Sequence, residues 1–299
     1  MKIIGVYHGD CSDGTAAAAV LLKKFPSIKL FPLKHHFEEK DFAPIIAEVD
    51  EETTVYTVDN VLGVEEFVKK AKEVISLDHH IGANEEMKAF AAAHPNFTYI
   101  FDNNKSGASL TWTHFFGEET MPELVRLVQD FDLWQWKFGD RTKYLSRFMI
   151  SFANQPNKVL EFFDENIETL LEQGKTISVF ADYVVENYAS RAEPLYIKIG
   201  GYTVPAFNAQ FMFVSEIGHA LAERLKSTVL LFSIHSERVH MSFRSMEGYT
   251  PNSLELAQLL GGGGHTLAAG AYVPLEKFWG MLQHDTNIRM DTNDTNGYE

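Results

Sequence analysis

The sequence predicts an α/β protein: a parallel sheet with helices on both faces, a helical linker, and a second, smaller α/β domain. Three observations predict it. Strand-like and helix-like segments alternate through the first hundred residues, the pattern of a parallel sheet covered on both sides. From Met121 to about Arg191 the pattern turns helical, and after Pro194 β-rich runs return around a single helix.

In chain order, Lys2–Tyr7 (KIIGVY) is strand-like and Asp13–Phe25, rich in Ala and Leu, is a strong helix former. Ile28–Leu33 reads as a strand, Thr53–Val58 (TTVYTV) as a β-branched strand and Val64–Ala71 as a helix. Val74–Leu77 is a strand, Glu85–Ala93 a helix, Phe97–Phe101 a strand and Ser106–Phe116 a helix. Met121–Phe131, Thr142–Ser151 and Pro156–Phe163 follow as helices, and the periodic stretch Ile167–Ser190 leads out of the first domain. The second domain has strands at Leu195–Ile199, Tyr202–Pro205, Thr228–Ile234 and Val239–Arg244, with a helix near Phe213–Leu225. These readings give a first domain over 1–165, a helical linker over 166–193 and a second domain over 194–284. The polar tail 285–299 is poor in apolar residues and is expected to be disordered.

Lys and Arg total 26 against 41 Asp and Glu, a formal net charge of −15. Such a chain is poorly suited to clamping a long duplex, because counterion release rewards basic surfaces. One cysteine, Cys11, excludes an internal disulfide framework and any Cys-rich zinc module. The opening apolar run is too short for a signal segment, and no apolar stretch nears the ~20 residues of a membrane-spanning helix. A soluble, cytoplasmic protein is expected.

The chemistry-bearing residues fall at strand ends. The first strand ends in His8, with Asp10 and Asp13 just beyond; the third ends in Asp59; the next runs into Asp78-His79-His80. In an open parallel sheet, ligands bind beyond the carboxyl ends of the strands. Three strands therefore deliver His and Asp to one crevice. Mixed imidazole and carboxylate donors suit Mn, Fe, Zn or Co. Two such ions ~3.5–4 Å apart can share a hydroxide for attack on phosphorus. A single Asp at a strand end is ordinarily a turn residue; three strand ends carrying donors are harder to explain that way.

These residues resemble the DHH phosphoesterase superfamily in His8-Gly9-Asp10-Cys11-Ser12-Asp13-Gly14, Val58-Asp59-Asn60 and Asp78-His79-His80. Leu260-Gly261-Gly262-Gly263-Gly264-His265 resembles the glycine-rich motif of the superfamily's DHHA1 domain. The ordered motifs span residues 8 to 265. The GGGH ending is similar to the RecJ-like and nano-RNase (oligoribonuclease) branch, which includes enzymes cleaving linear or cyclic dinucleotides.

By that resemblance, His8 and Asp59 would hold one Mn2+, and Asp13, bridging Asp59 and His79 another. His80 would lie nearer the substrate phosphate, with Asp78 orienting the imidazoles. Gln129-Asp130-Phe131-Asp132 matches the fourth acidic motif; Asp130 is the ligand chosen here and Asp132 the close alternative. The family's first motif carries two aspartates separated by one residue, and Cys11 stands for the earlier of them. Its thiolate suits softer metals, Asp10 offers a substitute, and a small residue packed on the sheet is the plain reading. Lys105 and Ser106 open a helix and are read as an N-cap with a secondary phosphate contact. Gly262, Gly263 and Gly264 permit close approach of backbone to a ligand. His265 would donate to the phosphate or the scissile oxygen, and Arg244 would bind substrate phosphate. Trp134, Trp136 and Phe138 could stack on a base but fit core packing better, and His35-His36 are left out of the metal set.

The resemblance thus implies a metal-dependent phosphodiesterase hydrolysing short oligonucleotides or cyclic or linear dinucleotides, the substrate being its expected partner. No long duplex and no membrane are expected as partners, and a homodimer stays open. The rival readings are a phosphatase acting on phosphonucleotide, pyrophosphate or polyphosphate, and a nucleotide-binding regulatory protein that has lost turnover.

Overall fold

The computed structural model describes residues 2–34, 37–209 and 212–282. The expectations for His35-His36 and for the tail lie outside these residues. The chain divides into two compact units, Met1–Val185 and from Glu186 onward.

In the first unit, β1 (Lys2–His8), β2 (Lys29–Leu33), β3 (Thr53–Val58), β4 (Glu73–Asp78) and β5 (Phe97–Phe101) form one sheet in the order β2-β1-β3-β4-β5. Every pairing is parallel. The helices are α1 (Ser12–Lys24), α2 (Glu39–Ala47), α3 (Val64–Lys70), α4 (Asn84–Ala93), α5 (Gly107–Phe116), α6 (Glu123–Asp132), α7 (Asp140–Met149) and α8 (Pro156–Phe162). The 25-residue α9 (Ile167–Arg191) carries the chain into the second unit.

All six residues of β3 are buried, as a central strand covered on both faces requires. Val6 and Val55 pack on one side with Phe42 and Phe67; Tyr7, Tyr56 and Leu77 pack on the other with the Ala-rich α1. Helix α1 opens on Asp13 and closes on Lys23 and Lys24, charges that complement its dipole. The strand order reverses at β1, so the crevice at its carboxyl end, between β1 and β3, is where an open sheet accepts ligands.

The second unit is a mixed sheet of β6 (Leu195–Ile199), β7 (Tyr202–Asn208), β8 (Val229–His235), β9 (Arg238–Arg244), β10 (Gly263–Gly264) and β11 (Ala268–Pro274). Its order is β10-β11-β9-β8-β7-β6. Only β7 and β8 run parallel. Its helices are α10 (Val214–Leu225), α11 (Ser253–Gln258) and α12 (Leu275–Met281). Sequence patterning did not find α2, α11, α12, β10 or β11. Most are short, and the Gly and Ala residues of β10 and early β11 become strand by pairing, β11 with β9 and β10 with β11, rather than by propensity. Among the described residues no helix is long and apolar enough to cross a membrane.

Candidate metal centre

β1 delivers His8 and β4 delivers Asp78, with His79 and His80 directly after it. Asp59 follows β3 with φ 59°, in the left-handed region. Such a backbone costs about 1–2 kcal/mol for a residue with a side chain and persists only where its surroundings hold it. Here the Asp59 N–H donates to Leu77 O at 2.9 Å. The Asn60 amide ties the same turn, donating to Val58 O and accepting from Leu62 N, each at 3.0 Å. The bend swings the Asp59 carboxylate between two imidazoles: His79 Nε2 lies 3.0 Å from Oδ1 and His8 Nδ1 3.4 Å from Oδ2.

Among the described residues of the first unit two groups of donors result, each with its donor atoms within 4.8 Å of one another: His8, Asp59 and His80, and Asp13, His79 and Asp132. The short Asp59–His79 contact joins them. His79 Nε2 also lies 3.5 Å from Asp132 Oδ2 and 3.9 Å from Asp13 Oδ2. Asp78 takes the position of an orienting group, bonded to His80 Nδ1 at 2.7 Å. His80, expected nearer the substrate, is thereby grouped with His8 and Asp59.

Asp13 is held by α5, whose first-turn N–H groups of Gly107 and Ala108 donate to its two oxygens at 2.5 and 3.1 Å. The helix N-terminus is thus occupied by a carboxylate of the protein's own. Residue 107 has to be glycine, because a Cβ there would sit 2.4 Å from Asp59 Cβ and 2.9 Å from Asp13 Oδ2. Gln129 steadies the same turn, accepting from Ser106 N at 3.4 Å and from the Ser109 hydroxyl.

Two buried carboxylates, Asp13 and Asp59, and the half-buried Asp132 surround one imidazole, and their ionisation shows the strain. Burial, then repulsion from Asp59 and Asp132, holds Asp13 well above the ordinary carboxylate range. Burial also raises Asp132, with Asp59 adding to it against the attraction of His79. Burial works against a charged His79, yet Asp132, Asp59 and Asp13 outweigh it and push the imidazole up to about 11. Asp59 goes well below its usual range: burial opposes this, but His79 and His8 prevail. Asp59 Oδ2 and Asp132 Oδ2 are buried and accept no hydrogen bond among the described residues. Orphaned carboxylate oxygens beside imidazole nitrogens, with excess negative charge, are what a divalent transition metal ion would satisfy. The residues fit such an ion.

Several expectations need correction. Asp130 does not join the cluster; its buried carboxylate accepts from Lys137 N at 2.9 Å, Phe138 N at 3.1 Å and the Thr142 hydroxyl, fixing the turn before α7. Asp132 takes its place. Both residues lie on inward stripes of α6, Asp132 in line with Val125 and Val128 and Asp130 with Leu127, so periodicity offered no choice between them. Asp10 does not turn inward: with φ 60°, it exchanges hydrogen bonds with Asn154 and pairs with Lys34. Cys11 stands at the N-cap position of α1, outside both donor groups, its thiol raised well above its usual range by burial and then by Asp59, Asp132 and Asp13. Lys105 and Ser106, expected as an N-cap with a secondary phosphate contact, have internal partners, and the N-cap is present. Lys105 pairs with Glu118 at 3.2 Å and the Ser106 hydroxyl caps Ser109 N at 3.4 Å. Trp134 and Trp136 pack edge-to-face on each other, centroids 5.0 Å apart.

In the second unit, Arg244 ends β9 and the glycine run serves two purposes. Gly261, at φ 80°, closes α11, and Gly263 and Gly264 pair with Gly270 and Ala269 of β11. At Gly262 a Cβ would meet Gly270 O at 2.1 Å. His265 N donates to Ala268 O at 2.8 Å, completing that hairpin.

No protein-family model matches the chain. It is 25% identical over 294 residues to uncharacterized protein R106 of Acanthamoeba polyphaga mimivirus, covering 89% of this chain and 66% of that protein. The chain therefore spans just under two thirds of that relative's length. Among solved structures, RecJ from Thermus thermophilus in complex with Mn2+ matches with a TM-score of 0.51 at 15% identity, over 93% of this chain and 50% of that one. Exonuclease RecJ bound to manganese matches with a TM-score of 0.50 at 14% identity, over 93% and 88%. At such identities the likeness is one of fold, and it runs through both units.

Proposed function

Because this chain has the fold of the DHH/DHHA1 phosphoesterases, we propose that it is a Mn2+-dependent phosphodiesterase hydrolysing short oligonucleotides or dinucleotides to mononucleotides. The observation that carries the reading is the pair of donor groups, His8/Asp59/His80 and Asp13/His79/Asp132, joined through Asp59 and His79 at 3.0 Å. When bound there, divalent ions supply charge neutralisation at the phosphoryl oxygens and lower the pKa of water.

The protein's own groups do the rest. Asp59 belongs to one donor group and reaches His79 of the other, which its left-handed backbone permits. Asp13 is kept in one orientation by two N–H donors of α5, so it loses little freedom when it takes a cation. Asp78 fixes the tautomer of His80 by holding Nδ1, which leaves Nε2 as the donor atom. Arg244 supplies a guanidinium for a substrate phosphate, and Gly262–Gly264 with His265 provide backbone and imidazole donors toward it. Short substrates suit a chain with a net charge of −15, which favours no long polyanionic track.

The test is hydrolysis of 5′-phosphorylated dinucleotides and short oligonucleotides with Mn2+, beside Asp59→Ala and His79→Ala. Mononucleotide release by the wild type, reduced at least about 1,000-fold in both variants, is expected for groups that stabilise charge at the reacting phosphorus. No turnover with Mn2+, Co2+, Zn2+ or Mg2+ on any of these substrates would overturn the proposal.

A further inference from the structure

At the end of β9 the second unit holds a half-buried cation that, among the described residues, forms no ion pair. Arg244 is half-buried, and among the described residues its guanidinium makes two hydrogen bonds and no ion pair. Nη1 donates to Phe243 O at 2.8 Å and Nη2 to the Ser215 hydroxyl at 3.0 Å. Nε–H is buried with no acceptor. Burial pulls the guanidinium down to about 10, with Glu216 opposing; it stays charged near neutral pH. A charge buried among neutral acceptors is costly, and an anion relieves that cost by taking the unused N–H donors.

The surroundings hold this side chain in one place. Ser215 lies in the first turn of α10, whose cap position, Phe213, offers no side-chain acceptor. The same anion would therefore also meet uncapped N–H groups of a 12-residue helix. Gly218, one turn on, makes room: a Cβ there would lie 2.5 Å from Arg244 Cγ and 2.7 Å from Leu231 Cδ1. An alanine would push the arginine stem off the helix.

We propose that Ser215 is the positioning residue of a phosphate subsite, holding the Arg244 guanidinium against the start of α10 in the space that Gly218 leaves. The inference rests on the proposed function only in taking that phosphate to be the substrate's.

The experiment follows the Arg244 Nε–H resonance in 15N-labelled full-length protein, assigned by its loss in Arg244→Lys, during titration with adenosine 5′-monophosphate. Adenosine serves as the control without phosphate. The nucleotide is expected to shift this resonance and adenosine to leave it unmoved. Ser215→Ala should weaken nucleotide binding about 10-fold, the size expected for one hydrogen bond to a charged group. Ser215→Thr, which keeps the hydroxyl, should bind within about twofold of the wild type on the same reasoning, and Gly218→Ala should bind weakly. An unmoved resonance, an equal response to adenosine, or wild-type affinity in Ser215→Ala would overturn the proposal. If the nucleotide binds as expected but the wild type hydrolyses no phosphodiester, the proposed function falls and the subsite stands. If hydrolysis is present and Ser215→Ala alters neither KM nor nucleotide affinity, the role of Ser215 falls alone.

Discussion

At the carboxyl edge of the parallel sheet, carboxylates pair with imidazoles and outnumber their charge, whereas at the end of β9 the half-buried Arg244 guanidinium hydrogen-bonds, among the described residues, only neutral acceptors. The first arrangement folds with many of its charges paired and keeps, among the described residues, three orphaned oxygens, on Asp59, Asp78 and Asp132. The second keeps an orphaned Nε–H. Uncompensated carboxylate oxygens attract a cation, and an uncompensated guanidinium attracts an anion. A metal-dependent phosphoesterase needs both, so the difference between the two regions is a division of labour under the proposed function.

The comparison can be broken most sharply on the metal side. Asp132→Ala removes an orphaned oxygen and a partner of His79, and activity should fall about 100- to 1,000-fold, as when one charge-stabilising group leaves an active site. Thermal unfolding should stay near that of the wild type, since the variant also relieves repulsion among Asp13, Asp59 and Asp132. Wild-type turnover would remove Asp132 from the site. A smaller effect is expected one step out. Asp78→Asn should lower metal affinity by about 10- to 100-fold, the usual cost of losing the group that orients a ligating imidazole. Competition with a metal-sensing dye measures this, and unchanged affinity would show that His80 needs no such support.

Asp130→Ala, two residues from Asp132, sharpens the contrast by its silence in catalysis. It strands the Lys137 and Phe138 N–H groups, for a loss of about 3 kcal/mol and a melting point lower by roughly 6–12 °C. Activity below the transition should be near normal; a loss matching that of Asp132→Ala would reinstate Asp130. Least of all, Asn154→Ala frees the loop that carries Asp10 and Cys11, with an expected cost of about 1 kcal/mol in denaturant unfolding and little change in activity.

The α/β class and the strand-end location of the site were legible because both follow from local pattern. Alternation of the two periodicities implies a parallel sheet, and a parallel sheet brings the ends of its strands to one edge. His8, Asp59 and Asp78-His79-His80 follow that logic. Donors that come from helices do not. α6 offers Asp130 and Asp132 about 200° apart around its axis, and only its packing against α5 and α7 turns one toward His79 and the other toward the Lys137–Phe138 turn.

The sequence by itself determined which residue types stand at the strand ends, and with them the kind of chemistry the site can hold. Tertiary structure decided how the charges are partnered. It gave the N-terminus of α5 to Asp13, leaving Lys105 and Ser106 to internal contacts, tied Asp10 to Asn154, and gave Arg244 neutral hydrogen-bond acceptors and no ion pair among the described residues. The physical reason is that a side chain's identity is local, whereas the field it feels is set by groups brought near from distant parts of the chain. Burial then amplifies every such pairing and every absence of one.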